Sequence, residues 1–433
     1  MTSISTSRTT PQGTSLETSP LKTLHRTSRR SFVLMAASAA FTGLNGLLSG
    51  CGGGSATQVS PPVPLPLSQD PLSQDPLFQI TDLGIYDQFT PSILNNREEI
   101  IGYGPERNQG ALLRSPNGAM QTLGLPAGVS GPIEEVRRVA LNDNGASLVT
   151  IVVRESSTGS TGSTTSSNPY LTHTFLWQNG VAQNIGSLGG RHTEGYDLNN
   201  RNQIIGFSDI LNPGDPGYGT HSFLWQEGRM SELTLPAQRV FNPWGINDNG
   251  VMFGEALTRT TNASNGSGYE EDGAAILANG IVTLLRETNS TEYRFNAMDL
   301  NNRGQVVGWA FSTKGATSSG GSGYLLENGV ATNLSVVGGE VEFNAPAAIN
   351  GFGSVVGGTL PKGGWGGHFP WKLIGRAFLY QGGKTYDLQT RIPADSGWVL
   401  RGAYDINDRG QILGRGVVDG EGHAFLLTPT TTR

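Results

Sequence analysis

The stretch Asp197–Gly206 reads DLNNRNQIIG, and Asp299–Gly308 (DLNNRGQVVG) and Asp405–Gly414 (DINDRGQILG) repeat it closely. Each has an aliphatic residue, an asparagine, a polar turn and an apolar run ending in glycine. Consecutive asparagines of the repeat lie 47 to 57 residues apart, and a period of that length is typical of blade-type β repeats, which bury their faces only against neighbours. Four more divergent copies are Ile93–Gly102, Ala140–Ile151, Gly245–Gly254 and Ala348–Gly357.

Each copy is followed by two further strand patterns. His173–Trp177 (HTFLW) leads into Gln178-Asn179-Gly180 and then the apolar run Val181–Gly186, and His221–Trp225 (HSFLW) repeats the first of these segments. Asn-Gly supplies the positive φ angles that two-residue hairpins need. We therefore predict four short antiparallel strands per unit. Strand a precedes the repeat asparagine, strand b is the apolar run after it, strand c contains His-x-Phe-Leu-Trp, and strand d follows Asn-Gly.

The first and last segments of the repeat region complement each other. The last unit supplies strand a (Tyr404–Asn407), strand b (Gln411–Gly414) and strand c (His423–Leu427), whereas Phe78–Gly84 matches a strand d that precedes the first strand a. Docking of Phe78–Gly84 beside the last strand c would cover the exposed edges. We therefore predict an all-β β-propeller of about seven four-stranded blades, closed by the N-terminal strand. An open solenoid is the alternative.

The repeat phrase resembles the HAF extracellular repeat family, named for His-Ala-Phe. His423-Ala424-Phe425 matches the name, the segments starting at His173 and His221 match with one change, and Gly186–Gly190 (GSLGG) matches the following loop. The resemblance covers Phe78–Leu427, although several units lack the histidine. It implies an exported repeat protein and implies no particular reaction.

Residues 1–50 have the pattern of a signal peptide. Arg29-Arg30 before Ser-Phe-Val-Leu resembles a twin-arginine export signal, and Leu48–Cys51 (LSGC) resembles a lipobox that ends at the only cysteine of the chain. A chance Arg-Arg pair, a Sec signal and an uncleaved anchor are the alternatives. Residues 51–77, rich in Gly and Pro, predict a disordered tether, and 78–433 the propeller. We expect a lipoprotein on the periplasmic side of the outer membrane or on the cell surface.

Composition narrows the class of partner. The chain has a formal net charge of −6, and the balance is more negative without the basic first 50 residues. An acidic surface repels phosphate backbones, so nucleic acid is not an expected partner. The single cysteine excludes an intrachain disulfide and a cysteine-based metal site. We expect a monomer with a glycan or a protein as partner and the membrane as anchor.

Loop lengths predict which face of the ring binds. The a–b and c–d turns are tight, whereas the b–c insertions (Ser156–Asn168, Leu211–Thr220, Arg259–Asp272, Ser312–Gly323, Pro361–Gly375) and the d–a loops (Leu125–Val136, Glu287–Arg294, Gln389–Gly402) are long. Both long classes belong to one face, which we name the loop face, and the opposite side is the turn face. Aromatic and charged residues in these loops are the candidate ligand-binding residues: Tyr218, Tyr269, Glu270, Glu271, Arg294, Trp365, His368, Trp371, Trp398 and Arg401.

The sequence contains none of the common hydrolase, metalloprotease or nucleotide-binding motifs. The histidines at the start of strand c have a structural interpretation, and Asp419–His423 is only a weak metal-like run, so no metal or cofactor is expected. We favour a non-catalytic binding or scaffold protein. The alternative is a glycan-active hydrolase or lyase that uses acidic residues near the central tunnel: Glu194, Asp197, Asp299, Glu342 and Asp405.

Overall fold

A computed structural model describes residues 77–127, 129, 131–155, 169–210, 220–236, 239–262, 266–285, 293–312, 322–334, 342–361 and 375–430. These residues form a β-propeller of 28 strands, with a single 3₁₀ turn over Leu388–Arg391. None of the described segments forms a helix long and apolar enough to cross a membrane. The signal peptide and tether, including Arg29, Arg30 and Cys51, lie outside the described residues.

Each repeat unit supplies four strands in the order a, b, c, d. Unit 1 contains β2 (Thr90–Leu94), β3 (Ile100–Tyr103), β4 (Ala111–Arg114) and β5 (Met120–Leu123). Unit 2 contains β6 (Ile133–Leu141), β7 (Ser147–Arg154), β8 (Tyr170–Gln178) and β9 (Val181–Asn184). Unit 3 contains β10 (Gly189–Leu198), β11 (Ile204–Ile210), β12 (Thr220–Gln226) and β13 (Arg229–Glu232). Unit 4 contains β14 (Arg239–Ile246), β15 (Met252–Asn262), β16 (Gly266–Ala278) and β17 (Ile281–Leu284).

The remaining units follow the same order. Unit 5 contains β18 (Tyr293–Leu300), β19 (Val306–Ser312), β20 (Ser322–Glu327) and β21 (Val330–Asn333). Unit 6 contains β22 (Glu342–Ile349), β23 (Val355–Pro361), β24 (Ala377–Gln381) and β25 (Lys384–Asp387). Unit 7 contains β26 (Val399–Ile406), β27 (Ile412–Val418) and β28 (Glu421–Pro429), and its fourth strand is β1 (Phe78–Ile85).

The prediction of seven separate four-stranded sheets is wrong in its count. The described strands form five four-stranded sheets and one eight-stranded sheet. The larger sheet contains units 2 and 3, because a parallel bridge between His192 and Thr172 joins β10 to β8. Within it, the strands of each unit keep the antiparallel a–b–c–d order.

The N-terminal strand closes the ring, as the sequence predicts. β1 pairs antiparallel with β28, with Ile80 opposite Leu427 and Asp82 opposite Phe425. Phe78 is 1% exposed and packs in the same apolar cluster as Phe425 and Leu427. This β1–β28 pairing is named the seam.

Apolar side chains fill the spaces between neighbouring units. The seven clusters of buried hydrophobic residues among the described residues each combine strands of two adjacent units, and together they run once around the ring. Phe241 of unit 4, for example, packs with Ile205 of unit 3, and Phe378 of unit 6 packs with Val307 of unit 5. Because each unit covers its neighbour, removing one unit would expose two cores.

The repeat asparagines form a second, polar connection around the ring. The Nδ2 group of each donates to the backbone carbonyl oxygen of the repeat asparagine in the next unit, at 2.9–3.2 Å. The final bond, from Asn407 to Asn95, returns to the first unit and spans 312 residues of sequence. We name this set the asparagine ring, and its members are 3–5% exposed: Asn95, Asn142, Asn199, Asn247, Asn301, Asn350 and Asn407.

The same side chains also shape the a–b turns. The Oδ1 atom of Asn247 accepts hydrogen bonds from the backbone N–H groups of Asn249 and Val251, both at 3.0 Å. This is an Asx-type turn, which asparagine favours because its short side chain can bond its own backbone. One residue type therefore satisfies the turn and links the units.

A β-bulge explains the glycine that closes most copies of the repeat. The register of strand a shifts at the third residue before the repeat asparagine, for example between Ala297 and Asp299. The bulge brings strand a so close to strand b that a Cβ at Gly308 would overlap the carbonyl oxygen of Asn296. Unit 2 has Val149 in place of this glycine, and its bulge lies earlier, between Val136 and Arg138.

One predicted loop is wrong. Arg259–Asp272, interpreted as a b–c insertion, is mostly strand, because β15 and β16 stay paired up to Asn262 opposite Gly266. Tyr269, Glu270 and Glu271 therefore lie on a β-hairpin extension on the loop face, where only their backbone is described. Thr and Tyr in this segment favour a long two-stranded ribbon over an irregular loop.

We expect Asn247→Asp to separate the two roles of the ring asparagine. An aspartate keeps both turn acceptors but cannot donate to the carbonyl of Asn301, and it places a buried negative charge against that oxygen. The free energy of unfolding at pH 7.5 should fall by about 2–3 kcal/mol. The deficit should shrink as the pH falls, because the protonated carboxyl regains a donor.

Urea denaturation of the full chain at pH 7.5 and pH 5 measures this difference. Asn333→Asp is the matched control, because Asn333 is exposed on β21. Equal denaturation midpoints for the two variants would contradict a role of the ring in stability.

Candidate functional site

Two concave sites of the described residues are candidates for a functional site. One, of about 230 Å³, lies at the centre of the turn face, where the strand a ends and the a–b turns of all seven units meet. The other is a cleft of about 550 Å³ on the loop face of unit 7, beside the seam.

At the central site, three half-buried aspartates each connect two units. The Oδ2 atoms of Asp197, Asp299 and Asp405 accept hydrogen bonds from a backbone N–H of the next unit at 2.7–2.8 Å, and each Oδ1 accepts from the residue that follows the aspartate. Burial raises the pKa of Asp197 and Asp405 to about 7 and that of Asp299 to about 6, although the two N–H donors favour the charged form. These carboxylates have a structural role at the unit interfaces.

A second layer of side chains at the central site is also held by hydrogen bonds. The residues after the ring asparagines alternate between Asn and Asp through five units, and the Nδ2 group of Asn200 lies 3.0 Å from one carboxylate oxygen of Asp143 and of Asp248. The backbone N–H of Asn200 also donates to Asp248. These contacts occupy the carboxylate oxygens that a cation or substrate would need.

Glu194, another residue of the predicted hydrolase site, forms ion pairs. Its Oε1 lies 3.1 Å from Nε of Arg138, and its Oε2 lies 3.5 Å from Nη1 of Arg137. Arg138 also stacks over the ring of Tyr196 at 4.3 Å. The structure thus places Glu194 in a salt-bridge network between units 2 and 3. The side chain of Glu342 lies outside the described residues.

The seam cleft differs from the central site in the origin of its residues. It is lined by residues from both ends of the folded chain: Tyr86 and Asp87 after β1, Arg401 on β26, Arg415 on β27 and Glu421 on β28. The guanidinium of Arg415 lies 5.4 Å from the centre of the Tyr86 ring, a cation–π arrangement. Asp87 and Glu421 are exposed at the edge of the cleft.

Backbone pairing fixes the walls of the cleft. The N–H of Tyr86 donates to the carbonyl of Gly422 at 2.9 Å, which extends the seam by one residue beyond β1. Nδ1 of His423 lies 2.9 Å from both carboxylate oxygens of Asp82, one step along the same strands. The ring of Tyr404 lies behind the Tyr86 ring, 6.3 Å away between centroids. Burial raises the pKa of both tyrosines, so they stay neutral at physiological pH.

Arg401 is the sequence-predicted candidate that the structure places in this cleft. Trp398 is 7% exposed, unlike the loop residue that the sequence suggests, because its indole packs edge-on against Phe425 and His423. Gly416 lies beneath the indole and leaves room for it. The backbone of Arg294 pairs with Phe311, and its side chain is not described. Four candidates lie outside the described residues: Tyr218, Trp365, His368 and Trp371.

Tyr86, Asp87 and Arg415 are cleft residues that sequence reasoning missed. The sequence could have indicated them. If Phe78–Gly84 pairs with the last strand c, the residues that follow it must lie beside the last b–c turn. In the sequence, Glu421 stands out only as a member of the weak metal-like run Asp419–His423. Among the described residues, no cluster of three or more His, Cys, Asp or Glu side chains is arranged to hold a metal ion.

The repeat histidines contact carboxylates on the adjacent strand d. Nδ1 of His221 lies 2.6 Å from Oε1 of Glu232, which corresponds to the His423–Asp82 contact at the seam. His173 packs instead against the ring of Phe175, at 6.1 Å between centroids. The contacts of His221 and His423 therefore link strands c and d, whereas that of His173 lies within strand c.

Comparison with known proteins finds similarity in the fold alone. No family model matches the chain, and no curated protein matches it. The chain is similar to the β-propeller domain of the Trilobed protease from Pyrococcus furiosus, at 9% identity and a TM-score of 0.45, covering 81% of this chain and 93% of that one. It is also similar to the Pyrococcus horikoshii acylaminoacyl peptidase, at 10% identity and a TM-score of 0.43, covering 76% of this chain and half of that one.

The half-buried aspartates predict that stability depends on pH. Their pKa values of about 6 to 7 in the folded protein exceed the ordinary value of about 3.9, so the folded state binds protons more tightly than the unfolded state. Their stabilising contribution is present in full below about pH 4 and is lost as the pH rises through 6 to 7. Asp405→Asn should therefore flatten the decline in the free energy of unfolding between pH 5 and 8.

Urea denaturation at intervals across this range measures the slope. Asp395→Asn is the control, because Asp395 is exposed before β26. Parallel slopes for wild type and Asp405→Asn would show that Asp405 does not titrate in this window.

Proposed function

We propose that this chain is an exported, lipid-anchored, non-catalytic propeller that binds a glycan or a protein partner on its loop face. The observation that carries the proposal is the seam cleft, where Arg401 and Arg415 lie beside an aromatic ring and two exposed carboxylates. Concave sites with a few convergent polar groups and an aromatic wall are typical of ligand-binding sites.

The export part of the proposal rests on the sequence. Arg29-Arg30, the apolar stretch Phe32–Leu48 and the single Cys51 occur in the order and spacing that a lipoprotein signal needs. Several acyl chains on one cysteine give stable anchoring, since each buried CH₂ contributes about 0.8 kcal/mol. A tether of Gly- and Pro-rich sequence would hold the propeller away from the membrane and leave its loop face accessible.

The alternative, a glycan-active hydrolase or lyase, has less support. A general acid or a nucleophile must reach the substrate, whereas both carboxylate oxygens of Asp197, Asp299 and Asp405 accept backbone N–H groups. Glu194 is held between two arginines. The raised pKa of the aspartates follows from their position at the unit interfaces, where both carboxylate oxygens are engaged.

Replacing the single cysteine tests the anchor. We expect wild-type chain expressed in a Gram-negative host to sediment with the membrane fraction, and Cys51→Ser to appear in the soluble periplasmic fraction, because no acyl chain can be attached. Immunoblotting of the fractions and a mass measurement of the N-terminal peptide check this. Arg29→Lys/Arg30→Lys is the export control and should leave the precursor in the cytoplasm. A Cys51→Ser protein that stays in the membrane fraction would contradict lipid anchoring.

Site-specific blocking tests the loop face. The Cys51→Ser chain has no other cysteine, so one introduced cysteine directs a bulky polyethylene-glycol maleimide to one place. Labelled Asp87→Cys should lose binding to its hits on glycan and protein arrays, because Asp87 lines the seam cleft. Labelled Lys384→Cys should keep them, because Lys384 is exposed in a c–d turn on the turn face. The reverse pattern, or an array without hits, would count against the proposal.

A further inference from the structure

We infer that the seam cleft binds a carboxylate-bearing saccharide, with the carboxylate held by Arg401 and Arg415, and that this ligand holds the ring closed. The inference rests on the proposed binding function of the loop face and specifies its ligand class. It depends on three observations. No carboxylate of the described residues lies within 4.0 Å of Arg401. Asp87 and Glu421 lie at the edge of the cleft, and both ends of the folded chain form its walls.

Arg401 differs from its counterparts on the other units. Several strands a carry an arginine near their loop-face end, and those with described side chains form ion pairs: Arg137 with Glu194, Arg191 with Glu155, and Arg239 with Asp272. For Arg401, which lines the seam cleft, no carboxylate of the described residues lies within 4.0 Å. An arginine in a concave site without an internal counterion suits an external anion.

The second arginine gives the site its geometry. Arg415 lies on β27, opposite Gly402 of the neighbouring strand β26, and stacks on Tyr86. A planar guanidinium binds a carboxylate through two parallel hydrogen bonds, and fixing one guanidinium in advance reduces the entropy lost on binding. Two such groups in one cleft of about 550 Å³ fit a single carboxylate on a ligand the size of a disaccharide.

The exposed carboxylates select against other anions. Asp87 and Glu421 line the same cleft and would repel a phosphate dianion, whereas they can accept hydrogen bonds from hydroxyl groups. A uronic-acid-type sugar combines one carboxylate with several hydroxyls, and the Tyr86 ring offers an apolar surface for its C–H face. The cleft therefore favours an acidic saccharide over a phosphorylated ligand.

The position of the cleft couples binding to ring closure. Tyr86 and Asp87 follow the first strand, whereas Arg401, Arg415 and Glu421 belong to the last three strands. The site exists only while β1 is docked on β28. A ligand that binds only this closed form must stabilise it by mass action.

Calorimetric titration of the full chain carrying Cys51→Ser tests the inference, with digalacturonate as the acidic probe and galactobiose as its neutral counterpart. We expect saturable binding of digalacturonate and none of galactobiose. Arg401→Gln and Arg415→Gln should each weaken binding roughly 10- to 100-fold, because each removes a charge-assisted hydrogen bond. At a digalacturonate concentration of 100 times the wild-type Kd, the melting temperature of wild type should rise by about 4 °C, and that of Arg401→Gln by about 2 °C or less.

Arg229→Gln is the matched control, because Arg229 is exposed on β13, away from the cleft. Its affinity should equal that of wild type. Circular dichroism melting without ligand establishes that each variant is folded. The inference is overturned by absence of digalacturonate binding, by equal binding of galactobiose, by unchanged affinity in Arg401→Gln, or by preference for an acidic peptide of equal charge.

The two proposals fail in distinguishable ways. If array hits are blocked by the label at Asp87→Cys but digalacturonate does not bind, the loop face is a binding surface and the ligand class inferred here is wrong. If the label at Asp87→Cys blocks nothing, both the proposed function and the ligand class are wrong.

Discussion

The hydrogen bond from each ring asparagine to the carbonyl of the next is the interaction on which the rest of the structure depends. The Oδ1 atom of the same side chain closes its own a–b turn, so local turn geometry and contact between units are set by one residue. The bond from Asn407 to Asn95 makes the set cyclic. A cyclic set requires every unit, and it therefore forces the first and last units of the chain together, where the apolar clusters and the seam complete the closure.

The layer beside this ring shows how an odd number of units is accommodated. Asn and Asp alternate because an amide can donate to carboxylates on both sides, whereas two neighbouring carboxylates repel. A ring of seven cannot alternate throughout. The break falls at Gly351, whose backbone N–H still donates to Asp408 at 2.6 Å, while a side chain there would approach that carboxylate. The sequence of unit 6 thus supplies the one break in the alternation that an odd number of units requires.

Closure also creates the candidate site. The strand that completes unit 7 continues directly into Tyr86 and Asp87, so the pairing that protects two strand edges also forms one wall of the cleft. The central site, although lined by more carboxylates, has its oxygen atoms engaged in holding units together. Under the proposed function, binding and stability are separated between the two faces: the turn face carries the polar rings, and the loop face carries the seam cleft.

The sequence alone determined the repeat, the strand order, the closing strand and the turns at the repeat asparagines, because each follows from local periodicity or turn chemistry. The tertiary structure decided the contacts between residues of different units, because these depend on distances that the sequence does not give. It joined units 2 and 3 into one sheet through a single bridge at His192, buried Trp398 against Gly416, and engaged Asp197 and Asp405 with backbone N–H groups. It also brought Arg401 and Arg415 beside Tyr86, because residues more than 300 positions apart meet only when the ring closes.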